Sequence, residues 1–145
     1  MTLSVRLAAL ADEEAIVELV AAMMEETRPG EPYERDVIRE RLRDYLDADD
    51  AAVWVAERNK AIVGFMLATI ILFDWRAGCC TLARMRYAVG GDCGAGSLDL
   101  LAQAFLAWSR DRGAEEVFGL NFDPQHAAIT RQALGAQKLG HPGLQ

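Results

Sequence analysis

The chain has 145 residues, 52% of them hydrophobic and 26% charged, enough for one independent core and unlike a disordered or collagen-like polymer. Its net charge of -7 is unevenly placed: residues 1–50 hold 14 of the 22 carboxylates but only 6 of the 15 lysines and arginines. No basic stripe of the kind that nucleic acid requires is visible, so no nucleic-acid partner is expected.

Leu3, Val5 and Leu7 alternate with Ser4, Arg6 and Ala8, which predicts an opening strand. Asp12 then stands where it can cap a helix with the apolar stripe Ile16, Leu19, Val20 and Met23. Arg28-Pro29-Gly30-Glu31-Pro32 breaks that helix. A second follows, with Val37, Ile38, Leu42, Tyr45 and Leu46 on one side and Arg39, Glu40 and Arg43 on a charged face. Strands are predicted over Ala51–Glu57 and Ala61–Phe73, joined tightly at Arg58-Asn59-Lys60, where asparagine tolerates a left-handed backbone. Asp74 to Gly78 makes a turn and Cys80 to Val89 a third β segment. Gly90-Gly91-Asp92-Cys93-Gly94-Ala95-Gly96 then runs into a helix carrying Leu101, Ala104, Phe105 and Trp108, with Gly113 as its stop. Val117 to Phe122 predicts a further strand, and Asp123-Pro124 opens a short helix ending at Leu134-Gly135. The tail from Ala136 adds a short last strand. The order is β-α-α-β-β-β-α-β-α-β, with no linker or repeat, so one domain over 1–145 is expected.

The longest apolar run, Ala61 to Phe73, is interrupted by Gly64 and Thr69 and is too short to span a bilayer. No basic segment precedes an early apolar stretch, and the expected compartment is the cytosol. Cys79, Cys80 and Cys93 are read as reduced thiols. Together with two histidines they lack ligand spacing, so no metal site is expected. Asp47, Asp49, Asp50 and the pair Glu25–Glu26 are either solvated surface or an acidic rim that concentrates a cationic amine.

A glycine-rich turn between strand and helix leaves main-chain N–H groups at the positive end of the helix dipole, an arrangement suited to phosphate. No Gly-Lys-Ser/Thr follows, and the turn is reached through a meander, so neither a P-loop nor a dinucleotide fingerprint is present.

The opening "VRLAALADEEAIVELV", the hairpin "VWVAERNKAIVGFMLA" and the helix "LLAQAFLAWSRDRGA", in that order and with the glycine loop between the last two, resemble the GNAT superfamily of N-acetyltransferases over essentially the whole chain. The resemblance implies an α/β fold: a mixed, mostly antiparallel sheet with a central parallel pair and helices on both faces. It implies acetyl-CoA as co-substrate and a small-molecule or peptide amine as acceptor. It also implies a loop whose backbone N–H groups hold the pyrophosphate and a β-bulge that holds the thioester. Cofactor-binding residues would then be Ala88, Val89, Cys93, Gly94, Ala95, Gly96 and Ser97. The loop fits in two registers, Gly91–Gly96 or Cys93–Leu98; neither begins with the family's Gln or Arg, and Asp92 sets a negative charge beside the phosphates. Arg131 occupies the position of the family's tyrosine general acid and Ala136 that of an aromatic residue. Arginine does not release its proton and could hold a thiolate only by charge.

Tyr87 is a proton-donor candidate near the bulge, or else packing. Arg84 and Arg86, placed on one face by alternation, stand where many relatives carry an acidic base. They are either solvated strand residues or contacts for an anionic cofactor or substrate. These departures leave two readings open: an active N-acetyltransferase, or a catalytically silent relative serving ligand sensing or protein interaction. A homodimer through a sheet edge is plausible by analogy with the family.

Overall fold

The computed structural model describes residues 2–73, 80–89 and 94–118. The expected turn over Asp74–Gly78, the loop segment Gly90–Cys93, the strand beyond Phe118 and the last helix and tail lie outside these residues. So do Trp75, Cys79, His126, Arg131 and His141.

The element order is β1 (Leu3–Leu7), α1 (Glu13–Thr27), α2 (Arg35–Asp47), β2 (Ala51–Arg58), β3 (Ala61–Phe73), β4 (Cys80–Val89), α3 (Gly94–Asp111) and β5 (Glu116–Phe118). The strands form one sheet in the order β1-β2-β3-β4-β5. The first three pairings are antiparallel, and β4 pairs with β5 in parallel over Leu82–Arg84. That parallel pair stands at the margin of the five described strands, so a central position for it depends on residues outside them.

Alternation along β2 and β3 feeds two cores. Trp54, Ala56, Met66 and Ala68 face α3, where Leu98, Leu101, Ala102 and Phe105 close over them. Val53, Val55, Phe65 and Leu67 face the other way and are covered by Ile16 and Met23 of α1 and Leu42 of α2. Helices therefore sit on both faces, as expected. Trp54 is at the centre of its core, edge-on to Phe105 and to Trp108 with ring centroids 6.4 and 5.4 Å away.

The local signals act where the sequence placed them, with three differences. Asn59 and Lys60 both adopt positive φ, 54° and 66°, closing a two-residue hairpin, so β2 runs one residue further than predicted. Gly113 has φ 76° and ends α3: its N–H bonds the Arg110 carbonyl at 3.0 Å and the next N–H bonds that of Ser109 at 2.9 Å. Asp12 does stand before α1, but it makes no cap bond to that helix. Its carboxylate turns back to accept from the Ala9 N–H at 2.7 Å and from Arg6. Val37, expected on the apolar side of α2, is 46% exposed. Only Leu42 of that helix is fully buried.

Candidate active site

The register of β3 against β4 slips by one residue. Leu67 opposes Tyr87 while Ala68 opposes Met85, so Arg86 is an extra residue, a β-bulge, in β4. The bulge bends the strand just before Ala88 and Val89, which pair with Met66 and Phe65. It also interrupts the alternation that was expected to carry Arg84 and Arg86 on one face. Composition gives no sign of such a bulge; only the pairing register does.

From the end of β4 the chain leads into α3, which begins at Gly94. The glycine-rich segment is thus in part the helix's first turn, where backbone N–H groups lack intrahelical acceptors. That turn contains no acidic residue, whereas α1 opens with Glu13 and Glu14 and α2 with Asp36. Gly96 marks a close approach: a Cβ there would meet Leu3 Cδ1 at 3.3 Å, so its missing side chain lets the helix start settle against β1. Ser97 is fully buried, and its hydroxyl finds no hydrogen-bond partner among the described residues. Cys93 lies outside the described residues, and with it the choice between the two loop registers.

On the opposite face, α1 lies over β3 and reaches β4, while α2 lies over β2. The arginines that sequence reading put on a charged face of α2 in fact tie it to α1. Arg43 donates to both oxygens of Glu13 at 2.9 and 3.1 Å, Arg39 to Glu14 at 2.8 and 3.1 Å, and Arg35 to Glu18 at 3.0 and 3.3 Å. Tyr33 donates to Glu25, which holds its phenol above the usual tyrosine range. The Arg39 hydrogen bond holds Glu14 below the usual carboxylate range. Arg6 clamps Asp12 through two bonds of 2.8 Å and also bonds Glu57. Those bonds to Asp12 keep its carboxyl low, against the opposing effect of burial. Much of the N-terminal acidity is therefore neutralised in place, although Asp47, Asp49, Asp50 and Glu26 remain exposed.

Arg84 is different. It is half-buried in β4 opposite Thr69 and makes no ion pair with any residue whose side chain is described, a set that does not include Glu116 on the adjacent β5. Thr69 Oγ1 is buried and likewise lacks a hydrogen-bond partner among the described residues. No group of three or more His, Cys, Asp or Glu side chains able to hold a metal occurs among the described residues, and no helix in them is long and apolar enough to cross a membrane.

The fold as a whole is shared with solved structures. A predicted acetyltransferase from Clostridium acetobutylicum, solved with acetyl-CoA, is 14% identical with a TM-score of 0.75, over 94% of this chain and 90% of that one. A transcriptional regulator from Bacillus halodurans C-125 is 22% identical with a TM-score of 0.74, over 99% and 98%. The aminoglycoside 6'-N-acetyltransferase AAC(6')-Ih from Acinetobacter baumannii is 14% identical with a TM-score of 0.72, over 97% and 95%. At these identities the likeness establishes the fold, and the chain has the fold of the GNAT acetyltransferases. No family model matches the sequence, and no curated protein is similar to it in sequence.

Proposed function

We propose that the chain is a cytosolic, single-domain N-acetyltransferase that moves an acetyl group from acetyl-CoA to a small-molecule or peptide amine. The observation that carries this reading is the bulge at Arg86, near the end of the strand that leads on to a helix whose first turn offers N–H groups and no carboxylate. Straight pairing would keep the main chain of β4 engaged with β3; a bulge frees one residue's polar groups for a ligand. A solved neighbour of the same fold carries acetyl-CoA.

In this reading the N–H groups around Gly94–Gly96 take the pyrophosphate, with Cys93 and Ser97 flanking them, and main-chain groups of Ala88 and Val89 hold the pantetheine arm. The residues present fit such a ligand through backbone donors, which do not depend on the missing Gln or Arg. The amine must arrive uncharged. Its nitrogen attacks the thioester carbonyl carbon, a C–N bond forms, the C–S bond breaks, and the departing thiolate takes up the proton that the nitrogen loses. The protein's contribution is to hold the two reactants in line and to stabilise the developing oxyanion with backbone N–H groups. Tyr87 is the candidate proton donor from β4. Arg131 is a candidate for stabilising the thiolate by charge.

Thiol release from acetyl-CoA in the presence of a broad amine panel tests this. The expected result is acceptor-dependent release together with a rise in melting temperature on adding acetyl-CoA. Absence of both at millimolar acetyl-CoA would leave the silent, ligand-sensing or protein-interaction module in its place.

A further inference from the structure

We infer that the acceptor is an amine that also carries a carboxylate, and that Arg84, assisted by Thr69, is the residue that selects it. The inference builds on the acetyltransferase reading and narrows its substrate class.

The first support is placement. Directly opposed residues of an antiparallel pair share a face, and Thr69 lies two positions from Leu67 along β3. Arg84 and Thr69 therefore belong to the face covered by α1, two residues ahead of the bulge. A group bound there stands within one strand turn of the position where the thioester would be held.

The second support is charge. A guanidinium is always ionised, and holding one half-buried without a counter-ion is unfavourable. Of the carboxylates on α1, Glu13, Glu14 and Glu18 are taken by arginines of α2, and Glu25 by Tyr33. Glu26 is exposed. The side chains α1 turns toward the sheet are apolar: Ile16, Leu19, Val20, Met23 and Met24. β3 and β4 themselves contain no acidic residue in their described parts, and the carboxylate nearest to Arg84 in register is Glu116 of β5, opposite Leu82. The third support is the buried Thr69 hydroxyl, a donor and acceptor with no partner among the described residues, next to that cation. Guanidinium and hydroxyl together are the complement of a planar carboxylate. An acidic rim awaiting a polycation is the opposite arrangement, and the α1–α2 pairing has already spent much of that acidity.

The test uses the full chain, acetyl-CoA and amines offered in matched forms: amino acids as free carboxylates and as their amides, alongside polyamines and aminoglycosides. Free carboxylates should be acetylated with kcat/KM roughly 10- to 100-fold above their amides, the size of a charge-assisted hydrogen bond. Arg84→Gln should raise KM for carboxylate acceptors by a similar factor, leaving KM for acetyl-CoA unchanged. Arg84→Lys should recover part of the loss, and Thr69→Val should give a smaller increase in KM. Equal or better use of amides, polyamines or aminoglycosides would overturn the inference while leaving acetyl transfer intact. So would acetyl-CoA binding without turnover of any acceptor in the panel. Failure of acetyl-CoA to bind at all would overturn both the inference and the reading beneath it.

Discussion

Asp12 sits where a capping residue belongs and does something else. Its two oxygens take Arg6 and the Ala9 N–H, fastening the end of β1 to the start of α1. Because Arg6 holds the folded carboxyl below its unfolded value, this contribution is fully present above about pH 4 and fades as pH falls through the lowered folded value. Asp12→Asn should therefore cost about 1–2 kcal/mol at pH 7, Arg6 being largely solvent-exposed. The variant's stability should also fall less steeply than the wild type's below pH 4. Urea unfolding at pH 7 and at pH 3 measures both effects; an equal loss at the two pH values would assign Asp12 a role other than this ion pair.

At the scale of elements, α2 and β4 behave unlike their neighbours. α2 buries only one residue fully, and three of its arginines make four ion pairs with carboxylates of α1. Exposed pairs are screened by salt, so hydrogen exchange in α2 should quicken between low and 0.5 M NaCl while β2 and β3 remain protected. Unchanged exchange in α2 would mean that Leu42 and its apolar neighbours suffice to hold the helix. In β4 the extra residue is the feature tied to function. Deleting Arg86 would remove the bulge and leave Tyr87, Ala88 and Val89 in regular pairing with Leu67, Met66 and Phe65, so that no extra residue's polar groups are freed there. That variant should fold, by circular dichroism, yet lose the rise in melting temperature that acetyl-CoA gives the parent chain.

Across the whole molecule, one sheet joins two cores, since successive residues of β2 and β3 point into opposite ones. The two should be lost together. Phe105→Ala, which empties the centre of the α3 core, should cost about 3–5 kcal/mol. Tryptophan fluorescence, reporting that side through Trp54 and Trp108, and far-ultraviolet dichroism should still unfold in one coincident transition. This part of the architecture is legible in the sequence because periodicity, hairpin chemistry and the Gly113 stop are local signals. The bulge was expected only through the family resemblance: it is a mismatch between two strands, and the composition of neither strand carries it. The arginine pairs joining α1 to α2 escaped for the same reason, since a charged stripe reads as solvated surface until a second helix is laid against it. Arg84 was legible as a candidate for contacting an anion, but that the α1 carboxylates across from it are taken by other partners is apparent only in the fold.

The central claim is that backbone groups at the end of β4 and the start of α3 hold acetyl-CoA. Titrating acetyl-CoA into the isotopically labelled protein, with amide shifts followed residue by residue, tests it most directly. Saturable changes should be largest from Ala88 to Ser97, whereas no saturable change, or changes centred away from that stretch, would contradict it.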